Sequence, residues 1–321
     1  MPMNEWGFPL DLSFLVDDLR PIERLVAEVM GTAVRTTALI GEGFYGKVYR
    51  ATLTQEPYDV IIKCYKYAHH AQQEAAQLDL LRPAALVTIP HVYAVHASSA
   101  LFPGEALLMA YLPGQRVGDK TTFPTAQTQA NFVESVINNL LAWHNCTNPH
   151  GFGPPQGPFQ ATWANYYGWR IQHHYQQLQQ PQHHTVVSDF VQRVAAQSYE
   201  ALTDILALAP ERPSLIHGDY NIWNMLIDPA TSQLTAVFDP LDAGWGDYEI
   251  DLFHLANGRP DLGLLDHYLQ QRPARPGFWL RHHFYWFWDD IKHYLRMGYY
   301  EESYFRHKAQ RLVEAMTQHL P

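Results

Sequence analysis

The most informative segment of the chain is Ile216-His217-Gly218-Asp219-Tyr220-Asn221-Ile222-Trp223-Asn224. The apolar pair Val237-Phe238 follows it and leads into Asp239, 15 positions after Asn224. The spacing H-x-D-x-x-x-x-N, followed by a second aspartate at the end of a strand, is typical of phosphoryl-transfer sites. We therefore expect Asp219, Asn224 and Asp239 to converge on one site.

These side chains have separate predicted roles. Asp219 would lie beside an attacking hydroxyl group, orient it and accept its proton. Asn224 and Asp239 would supply hard oxygen ligands to Mg²⁺, which neutralises charge between phosphates. His217 would hold the loop by hydrogen bonds rather than transfer a proton.

A glycine cluster lies far upstream of this segment. Gly41, Gly43 and Gly46 fit the pattern G-x-G-x-x-G, which also occurs in ordinary tight hairpins. They fall between two strand-like segments, Thr36–Ile40 and Lys47–Thr54, whereas a dinucleotide fold places such glycines between a strand and a helix. Because glycine has no Cβ, backbone N–H groups can approach phosphate oxygens closely. We expect a flap over the phosphates of ATP.

A lysine lies inside the apolar strand segment Tyr58–Tyr65. Burial of the Lys63 ammonium is costly unless a carboxylate pairs with it. Glu74, on the predicted helix His69–Leu81, is the best candidate partner. Lys63 would then clamp the α- and β-phosphates of the nucleotide; the alternative is an edge-strand lysine that reaches solvent.

The apolar periodicity changes along the chain from two residues to 3.6 residues. Strand-like segments continue to Leu112, and Pro113-Gly114 is a natural linker. We predict an α+β protein with two lobes: residues 1–112 form a small antiparallel β-sheet lobe with one helix and a leading segment 1–25, and residues 113–321 form a larger, mainly helical lobe. The helical segments are predicted around Phe132–Leu141, at Trp163–Leu178 and at Ser188–Leu208.

Composition excludes several classes of protein. The formal net charge of −10 would repel a phosphate backbone, so we expect no nucleic-acid partner. The 47% hydrophobic content excludes global disorder, and two cysteines cannot build a disulfide framework. No apolar stretch is long enough for a membrane span, and the first residues lack a signal-peptide pattern. We expect a cytoplasmic protein; the sequence does not predict an oligomeric state.

Together these motifs resemble the aminoglycoside phosphotransferase and fructosamine kinase superfamily, whose fold is similar to that of protein kinases. The resemblance extends from about Val34 to Leu255 and implies ATP and Mg²⁺ as cofactors. It implies Asp219 as catalytic base, Asn224 and Asp239 as metal ligands, and the Lys63–Glu74 pair as a nucleotide holder.

The segment Leu107–Gly114 resembles the hinge of that superfamily. The resemblance implies that adenine bonds the backbone of Ala110 and Leu112, with Met109 beside the ring. Phe238-Asp239-Pro240 and Trp163–Ile171 are similar to fructosamine kinase motifs, whereas the complete glycine flap is closer to protein kinases.

A protein kinase needs an activation segment and an Ala-Pro-Glu anchor after the second aspartate. Here only Pro240–Glu249 precedes a helix-like segment, and no Ala-Pro-Glu occurs. We therefore expect a small-molecule acceptor. Asp242 near the cleft would favour a cationic or amine-bearing acceptor, and Trp223 is a second candidate contact.

The preferred function is transfer of phosphate to a hydroxyl of an amine-containing sugar or ketoamine. An aminoglycoside-type or other small-alcohol kinase and a nucleotide-binding regulator without transfer activity remain as alternatives. The aromatic run Phe284–Trp288 is interpreted as a packed core helix, with a sugar-stacking platform as the alternative. The histidine doublets lack zinc spacing and are interpreted as solvated helix residues, and Asp251 as a helix-start carboxylate or salt-bridge partner.

Overall fold

Alternating apolar residues upstream of the linker build a five-stranded antiparallel sheet. The helices and strands of this part of the chain are, in order, α1 (Arg20–Met30), β1 (Val34–Glu42), β2 (Gly46–Leu53), β3 (Asp59–Tyr65), α2 (His70–Leu81), β4 (Val92–His96) and β5 (Glu105–Ala110). The strand order is β1-β2-β3-β5-β4, so β3 lies at the centre of the sheet. Buried side chains alternate along β2 from Tyr49 onward, as one core-facing side of a pleated sheet requires, whereas β3 is buried without interruption from Ile62 to Tyr65.

The computed structural model describes residues 10–15, 18–100 and 102–320, which form two compact units. The first runs up to Arg116 and takes in Met225–Ala230 and Leu234–Pro240. The second comprises Val117–Asn224, Thr231–Gln233 and the chain from Leu241 onward. The sheet belongs to the first unit and most helices to the second, which confirms the predicted α+β class.

Helix α1 covers one face of the sheet. It buries Ile22, Leu25 and Val26 in the same apolar cluster as Tyr49 and Val60. This packing involves part of the predicted leading segment 1–25; residues 1–9 and 16–17 lie outside the described residues.

The helices of the second unit follow the 3.6-residue periodicity. They are α3 (Ala126–His144), α4 (Trp163–Leu178), α5 (Pro181–His184), α6 (Asp189–Glu200), α7 (Leu202–Leu206), α8 (Glu249–Asn257), α9 (Leu264–Gln271), α10 (Phe278–Met297) and α11 (Glu302–His319). The single helix predicted over Ser188–Leu208 is wrong: the chain leaves helical geometry at Ala201, and Leu202 then packs over Gly168 of α4.

Within the part of the chain that the structure describes, five short strands complete the fold: β6 (Gln115–Arg116), β7 (Ser214–Ile216), β8 (Met225–Ile227), β9 (Leu234–Val237) and β10 (Gly244–Gly246). Strand β10, which the sequence did not predict, pairs with β7. Trp245 of β10 also exchanges backbone hydrogen bonds of 2.9 and 2.8 Å with Gly153. A Cβ on Gly244 would lie 2.6 Å from the carbonyl oxygen of Gly153, so this close approach requires glycine.

Helix α10 forms the centre of the core of the second unit. Phe284, Phe287 and Trp288 are buried, which confirms the core-helix interpretation of the aromatic run. The prediction that the histidine doublets are solvated is wrong for His282 and His283, which are buried on this helix, and for His174, which is buried on α4. Burial lowers the pKa of His282 to about 3 and that of His283 to about 4, so both rings are neutral at pH 7.

A buried ionic cluster connects α8 to α10. Arg281 binds both carboxylate oxygens of Glu249 at 2.7 and 2.9 Å. Arg275 binds Glu249 at 2.9 Å and Asp247 at 2.7 Å, and Tyr285 donates to Asp247 at 2.9 Å.

Among the described residues, none of the helices combines the length and the apolar character that a membrane span needs.

We predict that Arg281→Met lowers the free energy of unfolding by about 3 kcal/mol or more, because it leaves a buried carboxylate with one cation fewer. The matched control is Arg306→Met, which removes an exposed pair with Glu302 and should cost less than about 0.5 kcal/mol. Urea unfolding measures both variants. Equal, small losses would contradict a structural role for the buried cluster.

Candidate active site

The ammonium group of Lys63 lies in a buried cluster of the first unit. Its Nζ is 2.6 Å from Oε2 of Glu74 and also contacts Oδ1 of Asp239. Tyr65 donates its hydroxyl to the same oxygen of Glu74 at 2.7 Å. Burial by itself would lower the pKa of Lys63, but the carboxylates of Asp239 and Glu74 outweigh burial and hold that pKa above its ordinary value. Lys63 is therefore a fixed cation on the central strand of the sheet rather than an edge-strand lysine.

Asp239 follows β9 with a φ of +61°. This left-handed conformation costs most residues roughly 1–2 kcal/mol, and aspartate is among the few that adopt it. The Asp239 side chain remains 46% exposed although one oxygen contacts Lys63. The end of β9 thus presents an accessible carboxylate beside a buried ammonium group.

The three glycines lie at and beside the turn between β1 and β2: Gly41 near the end of β1, Gly43 in the turn and Gly46 at the start of β2. A Cβ on Gly46 would lie 2.2 Å from the carbonyl oxygen of Cys64, so packing alone requires glycine there. A Cβ on Gly43 would meet nothing within 4 Å, and one on Gly41 would meet only Val48 at 3.8 Å. Packing within this unit therefore does not require glycine at Gly41 or Gly43.

Strand β5 ends at Ala110, inside the predicted hinge segment Leu107–Gly114 and two residues before the predicted end of the strand. The amide of Ala110 donates to the carbonyl of His91 at 2.8 Å. An adenine contact at this residue would consequently have to use its carbonyl oxygen. Met109 is buried and Leu112 is half-buried.

The carboxylate of Asp219 in the second unit is held by two asparagine side chains. Asn224 Nδ2 donates to Oδ2 of Asp219 at 2.9 Å and contacts the Asp219 carbonyl at 3.0 Å. Asn221 Nδ2 donates to Oδ1. Asn221 was not among the predicted site residues; the feature that could have indicated it is an amide side chain two positions after the aspartate. Both oxygens thus have a donor that fixes the orientation of the carboxylate.

Asp251 at the start of α8 anchors this loop from below. Its carboxylate accepts the backbone N–H groups of His217 at 2.9 Å and Gly218 at 2.7 Å. His144 Nε2 lies 3.1 Å from the same carboxylate, while its Nδ1 lies 2.7 Å from the hydroxyl of Tyr268. Because an ionised carboxylate only accepts, Nε2 of His144 is the donor and Nδ1 accepts from Tyr268. Asp251 was interpreted as a helix-start carboxylate or salt-bridge partner; it does lie in the first turn of α8 beside His144, but its bonds to the loop amides were not predicted.

His217 packs inside the loop, as its predicted structural role requires. Its ring stacks on Trp143 with centroids 5.7 Å apart and meets the edge of Tyr220 at 5.6 Å. Its Nδ1 lies 3.3 Å from the backbone amide of Asp219. Tyr220 in turn donates to the carbonyl of Val136 at 2.9 Å, which connects the loop to α3.

A second histidine, His254, faces the loop from α8. Its Nε2 is 3.2 Å from the carbonyl of Gly218, and its Nδ1 is 3.5 Å from Oδ1 of Asp219. Burial lowers the pKa of His254, which favours the neutral ring. Since Nε2 must donate to a carbonyl, Nδ1 of the neutral ring faces Asp219 as an acceptor.

A cavity lies in the second unit next to this loop; its outline holds about 520 Å³ of atom-free space, part of which is open solvent. Six aromatic rings and four charged side chains contribute to its lining, which includes Gly218 and also Trp163, Tyr166, Tyr167, Trp245, Phe253, Trp288, Arg170, Asp242, Asp289 and Lys292. A Cβ on Gly218 would lie 2.8–2.9 Å from the backbone of Asp242, so the loop rests directly on the cavity wall.

The two predicted acceptor contacts have different surroundings. Asp242 lines the cavity, but its carboxylate already binds Arg170 at 2.9 Å and Lys292 at 3.1 Å. Trp223 lies outside the cavity lining; its amide donates to Asn221, and its ring packs beside Gly258. The negative charge of Asp242 is therefore already neutralised by two cationic side chains. The pairing was invisible in the sequence because its partners are 72 and 50 positions away.

Comparisons with known proteins identify the family and the fold. The family model of the phosphotransferase enzyme family matches residues 36–291. The chain is 23% identical over 249 residues to the uncharacterized protein YcbJ of Escherichia coli K12, covering 78% of this chain and 83% of that protein.

Solved structures share the fold. A "putative fructosamine-3-kinase" from Haemophilus somnus 129PT superposes with a TM-score of 0.69 at 20% identity, covering 92% of this chain and 96% of that chain. A thermostable mutant of aminoglycoside phosphotransferase APH(4)-Ia, in ternary complex with ADP and hygromycin B, gives 0.70 at 18% identity and covers 94% and 99%. The resemblance inferred from the motifs is confirmed. Because the family match takes in most of its length, this chain belongs to the phosphotransferase enzyme family and is a phosphotransferase with a protein-kinase-like fold.

Proposed function

We propose that this protein is an ATP- and Mg²⁺-dependent kinase that transfers the γ-phosphate to a hydroxyl of a small amine-containing sugar or ketoamine. The observation that carries the proposal is the carboxylate of Asp219, held by Asn221 and Asn224 in a loop that Asp251 anchors. A cytoplasmic location, where ATP is supplied, accords with it.

Asp219 acts on the acceptor hydroxyl. It orients the hydroxyl and accepts its proton while the acceptor oxygen bonds to the γ-phosphorus and the bond to the bridging β–γ oxygen breaks. A carboxylate held by two amide donors needs no rearrangement at that moment, and such positioning supplies much of the catalysis in phosphoryl transfer.

The nucleotide is held by the first unit. Lys63 contributes a fixed cation for the α- and β-phosphates, and Glu74 positions it. Gly41 and Gly43, which packing does not require, let backbone amides approach the phosphates. The backbone of Ala110 and Leu112, with Met109 beside the ring, receives adenine.

The donor set of Asn224 and Asp239 fits Mg²⁺. The amide nitrogen of Asn224 faces Asp219, so its oxygen points the other way, and the Asp239 carboxylate is 46% exposed. These hard oxygen donors suit a divalent cation that would neutralise charge on the phosphates.

Two other functions remain as alternatives to a ketoamine or amino-sugar kinase. An aminoglycoside-type kinase is favoured by neighbours whose structures contain hygromycin B or gentamicin. A nucleotide-binding regulator without transfer would have no use for the positioned carboxylate of Asp219. ADP release with fructosyl-lysine, ribosyl-lysine, kanamycin, choline, homoserine and a protein substrate separates these functions; ATP binding without release on any acceptor would favour the regulator.

Asp219→Asn should lower kcat by about 10²–10⁴-fold, because asparagine keeps the shape but cannot accept a proton. ATP affinity, measured by calorimetry, should stay within about twofold. The control is Asp261→Asn, which alters an exposed carboxylate paired with Arg259 and should leave kcat unchanged. Full turnover in Asp219→Asn would refute the assigned role.

Lys63→Met should weaken ATP binding by about 10–100-fold, because it removes a charge-assisted contact of about 1.5–3 kcal/mol. Thermal unfolding checks that the variant folds, since Glu74 and Asp239 lose their buried partner. Lys120→Met, an exposed lysine, is the matched control. Unchanged ATP affinity in a folded Lys63→Met protein would exclude Lys63 from the nucleotide site.

A further inference from the structure

The charged side chains of the cavity beside Asp219 neutralise one another. Lys292 Nζ lies 3.1 Å from Asp242 and 2.5 Å from Asp289, and Arg170 lies 2.9 Å from the other oxygen of Asp242. Two carboxylates thus face two permanent cations. His293, the residue after Lys292 on α10, has its Nε2 3.4 Å from Oδ2 of Asp289.

These ion pairs are enclosed. The side chains of Arg170 and Lys292 are 8% and 6% exposed, and both carboxylates are 15% exposed. Burial alone would raise the pKa of Asp242, but Arg170 and Lys292 hold it well below its ordinary value; for Asp289, Lys292 and His293 likewise outweigh burial. Both remain ionised at neutral pH, so these four lining groups sum to zero charge.

A polycationic ligand would find no uncommitted carboxylate among these four groups. To bind Asp242 or Asp289 it would have to displace Lys292 or Arg170 from a buried pair. Separation of one partner from such a pair is strongly unfavourable, because it leaves an uncompensated buried charge.

The rest of the lining suits a compact sugar. Aromatic rings dominate it, and the half-buried rings of Tyr166 and Trp245 are the more accessible of them. Trp163 is fixed by a 2.9 Å hydrogen bond to Tyr285 and stacks on Tyr167 with centroids 4.8 Å apart. Apolar faces with a few fixed polar groups are the usual composition of a small-molecule site.

We propose that this cavity binds the acceptor as a neutral or zwitterionic monosaccharide derivative and discriminates against polycationic acceptors. The proposal rests on the kinase function proposed above and specifies its substrate class. It replaces the expectation that Asp242 attracts a cationic acceptor.

The direct test is calorimetric titration of the intact protein, in the presence of ADP, with zwitterionic fructosyl-glycine and with the polycation kanamycin. Fructosyl-glycine should bind at least tenfold more tightly. Tighter binding of kanamycin, or binding of neither ligand at millimolar concentration, would overturn the proposal.

A charge-imbalance variant sharpens the test. Lys292→Met leaves Asp289 and one oxygen of Asp242 without this cation, so kanamycin affinity should rise about tenfold while fructosyl-glycine affinity falls. The double variant Lys292→Met/Asp289→Asn restores zero charge and should restore the original preference. Lys308→Met breaks another buried lysine pair, with Asp290, outside the cavity lining, and should leave both affinities within about twofold.

Thermal unfolding establishes that each variant folds; if Lys292→Met does not, the double variant alone decides, and loss of its preference for fructosyl-glycine would overturn the proposal. The binding experiment tests the cavity assignment and the turnover experiment tests the kinase function, so either proposal can fail without the other. If fructosyl-glycine binds but gives no ADP release, and no other acceptor does, the kinase function fails while the cavity assignment stands. If kanamycin is the best acceptor in turnover, the kinase function stands and the charge inference fails.

Discussion

A single buried carboxylate, that of Asp251, determines the shape of the catalytic loop. It accepts two successive backbone N–H groups, at 2.9 Å from His217 and 2.7 Å from Gly218. Burial would raise the pKa of Asp251, but His144 and the backbone amide of His217 outweigh burial and keep that pKa below its ordinary value. An ionised acceptor at this point fixes the backbone immediately before Asp219, and the two asparagines then fix its carboxylate. Positioned electrostatics of this kind is what phosphoryl transfer requires of a protein.

The first unit uses the same principle with the signs reversed. Lys63 is a buried cation whose position is set by carboxylates, and Tyr65 supports Glu74 from the other side. The strands bring these groups together because Lys63 and Tyr65 alternate with apolar residues on the central strand. In both units the buried charge is tolerated because opposite charges or hydrogen-bond donors and acceptors pair with it.

Residue spacing predicted much of this arrangement. The strands around the glycine turn, helix α2 and helix α4 appear close to their predicted positions, because period-two and period-3.6 patterns reflect which side chains are buried. The contacts of Asp219 with Asn224 and of Lys63 with Glu74 involve residues that the motifs had already singled out. The errors concern burial and pairing at long range: the histidines of α10, the anchoring role of Asp251, and the supposed free charge of Asp242.

The amino-acid sequence by itself determined the fold class, the family and the candidate residues, since local periodicity and fixed motif spacing are written along one segment of chain. Only the tertiary structure decided which charged side chains form ion pairs with one another. Asp242 meets Arg170 and Lys292 only after α4 and α10 pack together in the second unit, and the chemical character of the cavity depends on that meeting. Electrostatic neutralisation depends on distances of a few ångströms in space, which separation along the chain does not encode.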